Sequence, residues 1–168
     1  MFMKYLKPFC LLAVCVFLTG CGFHSVYGAR DDQDPVAVEL NAISIDTIPE
    51  RNGQILRNAL IDRIYGKNRP ALPLYHLKIE IHANEEVLGL LANATATRSM
   101  LNLSVDYTLT DQAGKKILTG MAHSVASYNR LDQMYGTVAA RESAYDHTLH
   151  EASEQIVNRL SLYFSEKK

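Results

Sequence analysis

Regular alternation of apolar and polar side chains in the middle of the chain is the feature that constrains the fold most. The apolar positions are Leu101, Leu103, Val105, Tyr107 and Leu109. Because successive side chains of a strand point to opposite faces, this pattern predicts a strand with one buried face. Residues 111–116, with Gly114 near their centre, predict a tight turn, and residues 117–128 would return as the next strand. The chain is therefore expected to fold around an antiparallel hairpin.

The flanking segments extend this hairpin into a sheet covered by helices. An earlier strand is predicted by the alternating residues Tyr75, Leu77, Ile79 and Ile81. Residues 36–45 predict a first strand, with a change of phase near Asn41 and Ala42 that indicates a bulge. Residues 50–65 and 135–164 carry apolar side chains at helical spacing. The predicted order is β-α-β-β-β-α, an α+β two-layer sandwich with two helices on one face of a mixed four-stranded sheet.

The N-terminal segment is typical of a bacterial lipoprotein signal. Lys4 and Lys7 precede an uncharged apolar run at residues 9–18, which is too short for the roughly 20 residues of a spanning helix. A Leu-Thr-Gly-Cys box ends this run at Cys21. We expect residues 1–20 to be cleaved as a signal peptide and the cysteine to carry acyl chains such as palmitate. An ordinary secretory signal cut elsewhere, or an uncleaved anchor, is the alternative.

The composition after the signal limits what the remaining chain can be. The 168 residues carry 17 basic and 18 acidic side chains, and loss of the signal removes two lysines, which leaves a net charge of −3. This balance excludes a basic nucleic-acid binder. Cys10 and Cys15 leave with the signal, so no disulfide is expected and the fold depends on packing. We expect a tether at residues 21–35 and a single α/β domain at residues 36–168.

Histidines are the main candidates for catalytic or metal chemistry. His147 and His150 lie one helical turn apart and resemble half a zinc site, but no third ligand is obvious. His76 and His82 share a strand face about 20 Å apart, too far to bind one ion. Motifs for a nucleophilic serine, a phosphate loop and a dinucleotide are absent from the sequence. An enzyme, a cofactor and a metal are therefore not expected.

Two features indicate binding. The apolar segment 87–91 either prolongs the neighbouring strands into a long hairpin with its leucines buried, or forms an exposed tip that docks a partner or acyl chains. One face of the predicted sheet is polar and comprises His76, Lys78, Glu80, His82, Asn102, Ser104 and Asp106. Such a face is either solvated or fitted into a polar cavity such as the lumen of a β-barrel.

Short motifs follow one another along nearly the whole chain after the predicted cleavage site. They are Gly20-Cys21-Gly22-Phe23 with Tyr27-Gly28, Arg51-Asn52-Gly53-Gln54-Ile55-Leu56-Arg57-Asn58 with Leu60, Ala96-Thr97-Arg98, Ser127-Tyr128-Asn129, and Ile156-Val157 with Arg159-Leu160. In this order and spacing, the chain resembles the lipopolysaccharide-assembly lipoprotein family, LptE. The resemblance implies a periplasm-facing, lipid-anchored protein of the outer membrane that is not an enzyme. Its expected partner is a large β-barrel, LptD, whose lumen it plugs and whose assembly it assists.

The same resemblance implies binding of lipopolysaccharide, which the pair inserts into the outer leaflet, in part through basic side chains that meet phosphates. The candidates are Arg98, Arg130, Lys115 and Lys116. The hairpin order places the two lysines at one tip and the two arginines at the opposite end, so the four cannot form one patch. The alternative is that they are solvated surface charges. Two other functions stay open: a free-standing periplasmic ligand-binding or chaperone lipoprotein, and an enzyme that uses His147 and His150.

Overall fold

The computed structural model describes residues 35–65, 72–90, 96–130 and 133–167. The predicted signal peptide, Cys21 and nearly all of the tether lie outside these residues. The helices and strands are, in chain order, α1 (Pro35–Asn41), β1 (Ile43–Ile45), α2 (Glu50–Ile64), β2 (Tyr75–Leu90), β3 (Ala96–Asp111), β4 (Lys116–Asn129) and α3 (Met134–Glu166).

The four strands form one mixed sheet in the order β1-β2-β3-β4. β1 runs parallel to β2, and the two hairpins β2–β3 and β3–β4 are antiparallel. The predicted α+β fold with the order β-α-β-β-β-α is therefore confirmed. In this sheet we call the end with the β3–β4 turn and the start of β2 the proximal end. The end where β2 finishes and β3 begins is the distal end.

The predicted first strand is wrong over its first half, because residues 35–41 form α1 and only Ile43–Ile45 pair as β1. Pro35 suits the first position of a helix, where its missing N–H group is not needed. Ala37 and Leu40 are buried three residues apart, on one side of the helix. The change of phase that indicated a bulge is the junction of helix and strand, where the Ala42 N–H donates back to the Val38 and Glu39 carbonyls.

The predicted helix at residues 50–65 is confirmed as α2, which begins at Glu50 in spite of the early glycine. Gly53 is buried against the loop that precedes the helix. A Cβ atom at this position would lie 2.6 Å from Ile48 Cγ2 and 2.8 Å from the Ile48 carbonyl carbon. The helix therefore packs closely on this loop because the residue has no side chain.

The main hydrophobic core lies between the sheet and helices α2 and α3, towards the proximal end. Its fully buried members include Leu56, Leu60, Leu77, Leu103, Leu109, Leu149, Ile156 and Leu160. A second, smaller cluster at the distal end contains Leu101, Tyr128 and Ala144. Apolar side chains thus hold the proximal half of the sandwich together over a much larger area than the distal half.

Helix α3 confirms the prediction for residues 135–164 and, at 33 residues, is about 50 Å long. Near its start, Ala144 packs against the distal cluster. Near its end, the Phe164 ring lies 5.2 Å from the Tyr75 ring at the proximal end. The helix therefore spans the sheet from one end to the other. Within the described parts of the chain, no helix combines the length and apolar character needed to cross a membrane.

Candidate functional site at the distal end of the sheet

The structure separates the four basic candidates into two pairs, as the hairpin order predicts. Arg98 is exposed near the start of β3 and is the register partner of Asn129, which Arg130 directly follows. Lys115 and Lys116 are exposed at the β3–β4 turn, where Lys116 is the register partner of Thr110. The twelve-residue separation along β3 between these register positions corresponds to about 40 Å. The arginines and the lysines therefore lie at opposite ends of the domain.

A carboxylate that faces α3 is the centre of the distal end. Glu85 Oε1 accepts hydrogen bonds from Arg141 Nε at 2.7 Å and from the Tyr145 hydroxyl at 2.9 Å, and Arg141 Nη2 lies 2.6 Å from the same oxygen. Glu85 Oε2 accepts from the Tyr128 hydroxyl at 2.7 Å. The Arg141 guanidinium also lies 5.4 Å from the centre of the Tyr145 ring. This Glu85 cluster joins β2, β4 and α3 where the apolar core is thin.

The electrostatics of the Glu85 cluster favour the charged carboxylate. Partial burial alone would raise the pKa of Glu85, but hydrogen bonds from Arg141, Tyr128 and Tyr145 outweigh it and hold the pKa below its ordinary value. Burial and the neighbouring carboxylate raise the pKa values of Tyr128 and Tyr145, so both hydroxyls remain donors. The hydrogen bond to Glu85 raises the pKa of Arg141 as well. The cluster is therefore a compensated ion pair whose tyrosines stay protonated.

Glu85 is not among the residues predicted for the site, although the sequence contains a signal for it. In β2 the apolar positions are odd-numbered, from Tyr75 onward, and that phase continues to Glu85. The register pairs this residue with the buried Leu101. A carboxylate on the core-facing phase of a strand requires hydrogen-bond partners, so it could have been recognised as the centre of a network.

Exposed apolar side chains lie beyond the cluster at the distal end. Val87 and Leu88, near the end of β2, are 52% and 51% exposed. Met134 and Tyr135 in the first turn of α3 are almost fully exposed, and Val138 is half exposed. The prediction that this segment prolongs the hairpin is confirmed as far as Leu90.

The accompanying prediction of buried leucines is wrong for Leu88, because this even-numbered residue lies off the core-facing phase of β2, at the register shift between Val87 and Gly89. The side chain of Leu90 and all of Leu91 fall outside the described part of the chain. An exposed apolar surface next to Arg98 and Arg130 suits an amphipathic ligand, since apolar and charged groups can both be met there.

A small cleft lies between the first turns of α2 and the first half of α3. It measures about 220 Å³ and is lined by Arg51, Asn52, Ile55, Val138, Arg141, Glu142 and Tyr145. Both of its arginines are paired, since Arg51 lies 2.9 Å from Glu142 and Arg141 bonds to Glu85. The cleft is smaller than the roughly 300–1,000 Å³ of small-molecule sites, and its charges are already compensated.

The face of the sheet away from the helices is mainly polar, as predicted, but β4 adds two exposed apolar residues, Met121 and Val125. Two of its histidines lie near carboxylates: His82 Nε2 is 3.3 Å from Asp106 Oδ2, and His76 Nδ1 is 3.9 Å from Asp46.

Two further histidines, His147 and His150, lie on α3. There the His150 ring bonds to the Asp146 carbonyl at 2.8 Å, and His147 is exposed. Among the described residues, no three His, Cys, Asp or Glu side chains are grouped so that they could hold a metal ion.

Comparison with known proteins agrees with this architecture. The model of the lipopolysaccharide-assembly family, LptE, matches residues 38–160. An uncharacterised protein of Rickettsia prowazekii, RP188, is 28% identical over 158 residues, which are 94% of this chain and 97% of that protein.

Solved structures are similar as well. A protein from Caulobacter crescentus CB15, described as a candidate lipoprotein, superimposes with a TM-score of 0.66 at 25% identity, over 80% of this chain and 98% of its own. Rare lipoprotein B from Shewanella oneidensis superimposes with a TM-score of 0.58 at 11% identity, over 74% of this chain and 95% of its own. The Shewanella protein shares the fold.

Proposed function

Because the chain belongs to the lipopolysaccharide-assembly family, LptE, we propose that it is an outer-membrane lipoprotein that plugs the LptD β-barrel and assists its assembly. In this proposal residues 1–20 are cleaved, Cys21 carries acyl chains, and the domain at residues 36–168 faces the periplasm. The protein then takes part in the insertion of lipopolysaccharide into the outer leaflet and catalyses no reaction of its own.

The observation that carries the lipid-binding part is the composition of the distal end. Arg98 and Arg130 lie there beside exposed Val87 and Leu88. Lipopolysaccharide combines phosphates with acyl chains. Guanidinium groups bind phosphates through charge-assisted hydrogen bonds, and exposed apolar side chains accept acyl chains. We assign Arg98 and Arg130 to the phosphates and leave Lys115 and Lys116 to a separate, proximal role.

The polar face of the sheet supports the plug. It carries Lys78, Glu80 and Asp106 together with neutral polar side chains, so charges of both signs lie on it. The lumen of a β-barrel is lined by polar side chains and water, and a mixed polar face can exchange hydrogen bonds with such a wall.

The experiment is a purification from outer membranes in mild detergent with an affinity tag after Lys168, read by mass spectrometry. The proposal predicts a stoichiometric β-barrel partner and an acylated Cys21. The matched control is Cys21→Ser, which should remove acylation and membrane association. Recovery of the acylated protein without a barrel would contradict the plug and leave the lipoprotein assignment standing.

Direct binding of purified lipopolysaccharide by the chain that starts at Cys21 tests the lipid part on its own. A failure to bind at low salt would overturn that part whether or not a barrel is recovered. The other candidate, a free-standing ligand-binding lipoprotein, finds little support in the cleft beside Arg51 and Arg141, which is small and already holds paired charges.

A further inference from the structure

Strand β4 forms one outer edge of the sheet and is long for such a position. It runs over 14 residues, Lys116–Asn129, and among the described residues no strand lies on its outer side. The opposite edge is the three-residue β1. An edge strand presents a row of backbone N–H and C=O groups that another chain can pair with, and natural edges are usually short for this reason.

The contacts of His123 show which backbone groups of β4 point outward. Gln155 of α3 reaches the edge, where its Oε1 accepts from the His123 N–H at 3.1 Å and its Nε2 donates to the His123 carbonyl at 2.9 Å. One side-chain amide thus occupies both outward groups of one residue, as the peptide group of a neighbouring strand would. Because outward residues alternate in an antiparallel strand, Met121 and Val125 also direct their backbone groups outward.

The remainder of the edge lacks the features that usually prevent pairing. From Ile117 to Asn129 the sequence contains no charged residue and no proline. The register with β3 is regular from Asn129 back to Leu118, with a shift only next to Lys116. Exposed Met121 and Val125 flank His123 on the open face, so an added strand would cover apolar surface as well as form hydrogen bonds.

We propose that β4 is a docking site for an extended segment of a partner protein, which adds as a fifth strand. The segment has an uncharged centre with alternating apolar residues and acidic residues at its ends, because Lys115 and Lys116 flank the edge on one side and Arg130 on the other. Without the segment, the side-chain amide of Gln155 forms the two hydrogen bonds with His123 that a peptide group of the segment would form.

A second copy of the chain fits this edge less well. Antiparallel pairing of two β4 strands about His123 would set Lys116 of each copy against Arg130 of the other. Like charges directly opposite each other destabilise a strand pair. The charges at the ends of the edge therefore favour an acidic partner segment over self-association.

The test uses the full chain from Cys21, in detergent, with a synthetic peptide of alternating threonine and valine and two aspartates at each end. Hydrogen exchange of individual β4 amides is the measurement. We expect the Met121 and Val125 amides to exchange about tenfold more slowly when the peptide is present. The same peptide with lysines in place of the aspartates should give no protection.

Three substitutions sharpen the test. Val125→Asp should abolish the protection, whereas Asn102→Asp should leave it, because Asn102 is the register partner of Val125 on the same face but lies one strand inward. Gln155→Ala should speed exchange of the His123 amide in the chain alone, and the peptide should restore its protection.

Three results would overturn the proposal. They are the absence of protection by the acidic peptide, equal protection by the lysine peptide, and protection without peptide that grows with protein concentration. The last of these would identify a second copy of the chain as the occupant. None of them bears on recovery of a barrel or on lipopolysaccharide binding, so failure here is distinguishable from failure of the proposed function.

Discussion

The two ends of the sheet fasten helix α3 in different ways. At the proximal end, Tyr75 packs on Phe164, donates to Glu39 at 2.8 Å and lies under Lys167, whose Nζ is 3.4 Å from the Tyr75 hydroxyl. At the distal end, one carboxylate receives the bonds of Arg141, Tyr128 and Tyr145. At the proximal end the hydrogen bonds add to the contacts of a large apolar core. At the distal end, where the apolar core is small, the hydrogen bonds themselves hold helix α3 on the sheet.

In the proposed function this difference separates the end of the domain that stabilises the fold from the end that binds lipid. Fully buried leucines give the proximal end most of the apolar burial, which is the main favourable term in folding. The distal end has a small buried cluster and leaves Val87 and Leu88 half exposed beside two arginines. Its shape depends on the Glu85 cluster, so the distal end can present apolar groups to a ligand without losing its fold.

Replacing a buried leucine by alanine at each end should give the largest difference in the free energy of unfolding between the two ends. Leu160→Ala in the main core should cost about 4 kcal/mol, because it leaves a cavity among fully buried neighbours. Leu101→Ala in the distal cluster should cost about 2–3 kcal/mol, because fewer buried side chains surround it. Urea unfolding of the chain without its signal measures both changes. A larger loss of unfolding free energy for Leu101→Ala than for Leu160→Ala would contradict a greater contribution of the main core to stability.

Glu85→Gln should cost about 1–2 kcal/mol at neutral pH, since one partly exposed charged acceptor is lost. The folded-state pKa of Glu85 lies below its ordinary value of 4.5. Its charge therefore contributes to stability above the unfolded-state pKa, and the contribution is lost as the pH falls through the folded-state pKa. Urea unfolding of wild type and variant should differ at neutral pH and converge in acid.

Glu39→Gln serves as the proximal control for that experiment, because its carboxylate meets a single tyrosine hydroxyl. It should have a smaller effect than Glu85→Gln at neutral pH. Equal losses for the two variants would show that the distal end depends on its carboxylate no more than the proximal end does.

Tyr75→Phe should cost about 0.5–1 kcal/mol, because it removes the hydrogen bond to Glu39 and the long one from Lys167 but keeps the ring packed on Phe164. Thermal or urea unfolding measures this change. Tyr128→Phe is the distal counterpart and should cost more, because it leaves Glu85 Oε2 short of a donor. A larger cost for Tyr75→Phe than for Tyr128→Phe would contradict a greater dependence of the distal end on its hydrogen bonds.

Replacement of Val87 and Leu88 by serine should change the free energy of unfolding by less than about 0.5 kcal/mol, because both side chains are half exposed. The same double variant should weaken lipopolysaccharide binding, since acyl chains lose their apolar contacts. A clear loss of stability in urea unfolding would show that these residues serve the fold.

Segments with a single strong periodicity could be predicted from the sequence. Strands β2 and β3 and helix α3 repeat one period over many residues, so local pattern alone determines their type. The prediction for residues 36–45 is partly wrong because Val36, Val38 and Leu40 alternate as in a strand, whereas the structure forms a helix that buries Ala37 and Leu40 and leaves Val38 exposed. Seven residues are too few for periodicity to distinguish them.

The distal site was predictable in part. Hairpin order alone brings Arg98 and Arg130 together and keeps Lys115 and Lys116 apart, because strand connections determine which ends coincide. The Glu85 cluster joins residues about 60 positions apart, so no local pattern reveals its members. The two hydrogen bonds between Gln155 and His123 likewise depend on how α3 lies on the sheet.

Binding of purified lipopolysaccharide to two matched double variants, measured over a series of salt concentrations, distinguishes the ends most directly. The distal variant Arg98→Ala with Arg130→Ala should lose at least about tenfold in affinity at low salt, and its deficit should shrink as salt screens the charges. The proximal variant Lys115→Ala with Lys116→Ala should bind like the wild type. Equal losses in both variants, or an unchanged affinity in the distal one, would contradict a lipid-binding distal end.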